Sequence, residues 1–141
     1  MLVRLIYASR TTQPITGDMV DALLNISREH NAGSGITGIL CYSDSVFVQA
    51  LEGSRQAVNQ LYAKIVADAR HTEVTLLDYV EIAARHYQAW NMAKVKLDKV
   101  NLSLLLKYSD KPQLDPFAVT GKATAALLEE LATTAVCTSR G

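Results

Sequence analysis

Apolar and polar positions along this chain fall into runs that read alternately as strands and amphipathic helices. Leu2-Val3-Arg4-Leu5-Ile6-Tyr7-Ala8 is strand-like. Arg10 to Gly17 is polar, contains Pro14 and Gly17, and reads as a loop. Thr16 or Asp18 can cap the helix that follows, where Met19, Ala22, Leu23 and Ile26 recur at helical spacing. That helix is expected to stop near Asn31, before Gly33 and Gly35. Ile36 to Tyr42 reads as a second strand, and Ser43-Asp44-Ser45 as a hairpin link to a third. Gly53-Ser54 ends the third strand, and Ser54 caps a second helix with an inward stripe of Val58, Leu61, Tyr62 and Ile65. Asp68 to Thr72 is its exit turn. Glu73 to Ala83 is a fourth strand, and Trp90 to Leu97 a shorter fifth.

The order βαββαβ, then β, predicts an α+β, ferredoxin-like fold with an additional fifth strand. Both helices of that pattern fall on one face of an antiparallel-rich sheet. The other face would be left bare and apolar. The remaining sequence supplies a cover: a short helix at Leu102, Leu104, Leu105 and Leu106, and a longer one lined by Ala123, Leu127, Leu131 and Ala135. Pro112 and Asp115-Pro116 mark the loop between them. These two C-terminal helices are expected on the second face, alone or with a partner's help.

Composition narrows the function. A chain of 141 residues fits one domain, and 49% apolar residues can build a core. Lysine plus arginine balances aspartate plus glutamate at 14 each. That argues against a nucleic-acid protein driven by bulk charge. No apolar stretch approaches ~20 residues, so no membrane span is expected. The N-terminal run holds Arg4 and lacks a signal-peptide layout, so the expected compartment is the cytoplasm. Cys41 and Cys137 read as two reduced thiols. His30, His71 and His86 lack metal-ligand spacing with each other or with the cysteines, and no metal site is expected.

Two polar side chains stand out against this background. Val46-Phe47-Val48-Gln49-Ala50-Leu51 should be buried on both faces, yet it carries an amide. A buried amide must recover its hydrogen bonds or cost a few kcal/mol. The first strand likewise carries one phenol, Tyr7, in an apolar setting. Two core strands with one hydrogen-bonding side chain each suggest a polar ligand held against the sheet.

Several segments then converge on one family. Leu5-Ile6-Tyr7-Ala8-Ser9, His30-Asn31 followed by Gly35-Ile36-Thr37-Gly38-Ile39-Leu40, Phe47-Val48-Gln49-Ala50-Leu51-Glu52-Gly53, Asp68-Ala69-Arg70-His71 and Trp90-Asn91-Met92 resemble, in order and spacing, the BLUF domains, which are flavin-binding blue-light sensors. Leu104 to Ser109 resembles the short, stand-alone members of the PixD type. The resemblance covers about the first hundred residues and implies a flavin-binding domain over 1–98, with a two-helix extension over 99–141. It implies noncovalent FAD between the two helices. Tyr7 would donate an electron and a proton, and Gln49 would bridge tyrosine and flavin and then rearrange. Asn31 matches the asparagine at the ring's polar edge. Leu23 and Ile65 would sandwich the ring. Asp68, Arg70 and His71 would lie near the pyrimidine side, with Arg28 and Lys64 at the ring edge or phosphates. Some members have a second asparagine where this chain has His30, and an arginine where it has Lys64; lysine lacks the planar fork of arginine. Trp90 and Met92 match residues proposed to exchange places beside the glutamine as strand five shifts. The resemblance further implies no enzymatic activity and a downstream signalling protein as partner; a homo-oligomer is expected because the C-terminal helices offer apolar surface.

Two other readings compete. A small acyl phosphate hydrolase on the same frame needs a glycine-rich phosphate loop of a kind the chain lacks. A non-photoactive interaction or oligomerisation module needs only the fold, and colour would tell it from a photoreceptor.

Overall fold

A strand that is apolar at successive positions must be covered from both sides. Strand β3 (Val46–Ser54) meets this condition: every residue from Val46 to Gly53 is buried. In this computed structural model, residues 1–87 and 92–133 are described, the side chains of 27–32 excepted. The strands β1 (Leu2–Arg10), β2 (Thr37–Tyr42), β3, β4 (Thr72–Ile82) and β5 (Ala93–Lys96) form one sheet in the order β4-β1-β3-β2-β5. The first four pair antiparallel, and β5 runs parallel to β2. This is the expected ferredoxin-like order with a fifth strand added at one edge.

Helices α1 (Gly17–Ser34) and α2 (Arg55–Ala67) lie on one face. Val20, Leu23, Leu24, Val58, Leu61 and Ile65 pack there against Val3, Leu5, Tyr7, Leu40, Phe47 and Leu51. The opposite face of the same strands presents Ile6, Ala8, Ile39, Cys41, Val48 and Ala50. Helices α3 (Leu102–Tyr108) and α4 (Gly121–Thr133) cover it through Leu105, Leu127, Leu128 and Leu131. The two-sided arrangement follows from the period of two along each strand.

Local signals set the helix starts. The side chains of Thr16, Ser54, Asn101 and Thr120 accept from the backbone N–H groups of Met19, Ala57, Ser103 and Ala123 respectively. Helix α1 runs to Ser34, past the expected stop near Asn31, because the left-handed residue is Gly35 at φ +70°. Its buried residues are Val20, Leu23 and Leu24, and Ile26 packs partly buried against the same core. Strand β5 is shorter than expected, since Leu97 already belongs to a 3-10 turn. On α3, Leu102 and Leu106 face outward, so only part of its leucine run is core. Helix α4 begins tight against β4: a Cβ on Gly121 would fall 2.0 Å from the Leu77 carbonyl oxygen. Ala135 and Cys137 lie outside the described residues.

Among the described residues one carboxylate is wholly interior. Glu52 is fully buried on the α3/α4 face, where its carboxylate accepts from Arg4 Nε at 2.8 Å. It also accepts from the backbone N–H of His86 at 2.9 Å and of Tyr87 at 2.8 Å. Arg85 adds bonds to the Gly35 carbonyl oxygen and Thr37 Oγ1 at 2.5 and 3.0 Å. The segment after β4 is thus tied to the centre of the sheet. Glu52→Ala is expected to destabilise the protein by about 3–5 kcal/mol, because it strands a buried guanidinium and two backbone donors. Urea unfolding measures this; a loss below about 1 kcal/mol would show that the carboxylate is dispensable.

Candidate functional site

The antiparallel register of β1 and β3 sets Tyr7 directly opposite Gln49. Directly opposed residues project to the same face. The Tyr7 hydroxyl accordingly donates to Gln49 Oε1 at 2.6 Å, and both residues are fully buried. Gln49 Nε2 donates towards Met92 Sδ at 3.4 Å. Met92 is fully buried and immediately precedes β5. Phenol, amide and thioether therefore form a line from the centre of the sheet to its β5 edge.

Burial pushes the Tyr7 phenol far above its ordinary value, with Tyr62 and Asp68 adding to the effect. Tyr7 thus stays protonated and acts as a hydrogen-bond donor. The Tyr62 ring lies 5.6 Å from that of Tyr7, and burial raises its hydroxyl as well. The His71 ring stands edge-on to Tyr7 at 6.5 Å and lies 5.4 Å from Phe47. Its Nδ1 is 2.7 Å from the Oγ of buried Ser9.

Leu23 and Ile65 come from α1 and α2 into the same apolar cluster as Tyr7 and Met92. Asp68 and Arg70 sit in the turn after α2. There the guanidinium folds back on the carboxylate, with Nη2 to Oδ2 at 2.5 Å and Nε to Oδ1 at 2.9 Å. The hydrogen bond from Arg70 holds the Asp68 carboxyl down at about 2. Lys64 is exposed on α2. The backbones of Arg28, His30 and Asn31 lie in α1, so at Asn31 the chain is still helical; the side chains of these three lie outside the described residues. Trp90 lies outside them altogether. Among the described residues no cluster of histidine, cysteine, aspartate or glutamate could hold a metal ion.

Ser9 and Glu52 carry polar contacts to which the sequence alone assigned no role. Ser9 was within reach of the argument that singled out Gln49. It is two residues beyond Tyr7, on the same face of a strand that should be buried.

The sheet order and this line of side chains define a class: a small α+β domain with a phenol–amide hydrogen bond sealed inside its sheet. The chain belongs to the BLUF family, "sensors of blue-light using FAD", whose family model matches residues 2–93. A photoactivated adenylate cyclase subunit beta from Euglena longa is 38% identical over 92 residues, covering 64% of this chain and 11% of that protein. The chain therefore spans about a tenth of that curated relative. The solved structure "BlsA photo-activated state" is 31% identical with a TM-score of 0.81, covering 99% of both chains. "BlrB - a BLUF protein, dark state structure" is 31% identical with a TM-score of 0.71, covering 94% of this chain and 96% of that one. No helix among the described residues is long and apolar enough to cross a membrane.

The Asp68–Arg70 pair predicts a specific acid limb. A carboxyl whose folded value is depressed contributes stability above its unfolded value, and that contribution is lost as pH falls through the folded one. Stability should therefore drop between about pH 4 and pH 2, from the ordinary 3.8 to about 2 for Asp68. Arg70→Gln should shrink that limb, as read by urea midpoints at each pH. An identical limb in the variant would assign the drop to other carboxyls.

Proposed function

We propose that this chain senses blue light through Tyr7 and Gln49 against a noncovalently bound FAD, and passes the change through Met92 and β5 to a partner protein. The observation that carries this reading is the 2.6 Å bond between two fully buried side chains at the centre of the sheet. The face around it suits a flavin. Leu23 and Ile65 offer apolar surface from two helices, and the ring nitrogen Nε2 of His71 has no partner among the described residues. Asn31, His30, Arg28 and Lys64, on the same two helices, are the proposed contacts to the ring edge and phosphates, with Asp68 and Arg70 framing the exit turn.

When bound, the flavin supplies the absorption of blue light and, once excited, a demand for an electron and a proton. Tyr7 is placed to meet that demand because its proton already points at Gln49 Oε1. An amide has an acceptor end and a donor end, so Gln49 can take a proton at one and release one at the other. Rotating the amide exchanges those ends and rewrites the hydrogen bonds of the site. A thioether is a weak acceptor, so the contact to Met92 Sδ costs little to exchange. In an interior of low dielectric the new pattern differs sharply in energy from the old one, which favours two states over a graded response.

Met92 leads into β5, the edge strand paired with β2, and a shift there would reach the α3/α4 face. We therefore read 1–98 as the sensing domain and 99–141 as the extension that carries the output. Exposed Leu102 and Leu106, one turn apart on α3, support a protein partner or a homo-oligomeric contact at that extension. The relatives named as photoactivated cyclases support the idea that such domains regulate another activity, and for this chain the proposed role is sensor rather than catalyst. The compartment proposed is the cytoplasm.

An absorption spectrum of the flavin-loaded protein should shift reversibly to longer wavelength under blue light. Tyr7→Phe and Gln49→Leu should each abolish the shift while the protein stays folded and yellow. Either variant cycling normally would require another mechanism. A protein that takes up no flavin would leave the interaction module as the better reading. Met92→Ala should keep most of the spectral shift but weaken any light-dependent change in partner binding or oligomeric state, measured by light and dark scattering; an unchanged response would remove Met92 from the relay.

A further inference from the structure

At the end of β1 a serine and a histidine meet with only one consistent assignment of their protons. Ser9 is fully buried, and its Oγ lies 2.7 Å from His71 Nδ1. A neutral imidazole carries a proton on one nitrogen and a lone pair on the other. If Nδ1 carried the proton, the Ser9 hydroxyl would need a second acceptor. The described residues offer none, and a buried hydroxyl proton would be left unsatisfied. The hydroxyl therefore donates to Nδ1, and the imidazole proton sits on Nε2. Burial lowers the basicity of His71; the nearby Asp68 opposes this in part and Arg70 adds to it. The neutral ring is thus the resting form.

Nε2–H is then a donor without a partner among the described residues, on a ring packed against Tyr7 and Phe47. We propose that Ser9 is a positioning residue that locks His71 in the Nε2–H tautomer, so that His71 presents a donor to a carbonyl oxygen on the ring of the bound flavin. This rests on the photoreceptor reading above. The other tautomer would set a lone pair against that oxygen and repel it. Ser9 in this way fixes the sign of one ligand contact without touching the ligand.

Nitrogen-15 NMR of the imidazole in the full chain, first without flavin, tests the lock directly. Wild type should show His71 as a single Nε2–H tautomer. Ser9→Ala should show averaged nitrogen shifts as the ring samples both forms. A wild-type Nδ1–H pattern, an imidazolium, or a Ser9→Ala spectrum identical to wild type would overturn the proposal.

Flavin titration by fluorescence quenching supplies the second arm. Ser9→Ala should weaken binding by about three- to tenfold, the size of one lost hydrogen bond. The double variant Ser9→Ala/His71→Ala should bind no more weakly than His71→Ala alone, because Ser9 acts through His71. Additive losses would mean that Ser9 matters only for packing, and would overturn the proposal. Should Ser9→Ala fold poorly, Ser9→Cys, nearly the same shape with a weaker donor, must show the same direction of change or the proposal fails. Wild type that takes up no flavin sinks the photoreceptor reading and the ligand half of this one together. A wrong tautomer in a protein that does bind flavin sinks this one alone.

Discussion

The hydrogen bond from Tyr7 to Gln49 sets the terms for everything around it. Its two ends belong to adjacent strands at the centre of the sheet, and both are sealed from water. A carboxamide in that position is tolerated only while its donors and acceptor are occupied. The site therefore cannot relax gradually. It must exchange one satisfied pattern for another, which is the property a switch requires. Apolar cover on both faces produces this constraint, so the core that stabilises the fold also defines the states of the site.

Strand β3 carries chemistry to both faces of the sheet. Gln49 projects towards α1 and α2, whereas Glu52, three residues on, projects towards α3 and α4. A period of two makes this division automatic. Glu52 holds the backbone of His86 and Tyr87, and Tyr87 is packed into the α3/α4 core. Met92, further along the same stretch of chain, is held against Gln49 on the other face. The chain on either side of residues 88–91 is thus fastened to opposite faces of the sheet by the same strand.

Those helices are joined to each other by polar as well as apolar contacts. Glu130 on α4 accepts from Tyr108 and Lys107 of α3 at 2.5 and 2.8 Å. The loop between them docks back on β1, where the Arg10 guanidinium lies 4.1 Å above the Phe117 ring. The extension is therefore fixed to the sheet at both its loop and its helices.

The order of elements, the caps at Thr16 and Ser54, the doubly buried third strand and the presence of one polar side chain each, Tyr7 and Gln49, in two apolar strands were legible in the amino-acid sequence. Each is a local property: periodicity, a capping side chain, or a polar group in an apolar run. The stop of α1 was misjudged because Asn31 and Gly35 both resemble helix ends, and only the backbone shows which one adopts φ +70°. Ser9 and Glu52 were passed over because their meaning lies in partners 62 and 34 residues away in the chain. Sequence determined which groups must be satisfied. Tertiary structure alone decided by whom, since a hydrogen bond between distant residues depends on strand order and register, which no single segment encodes.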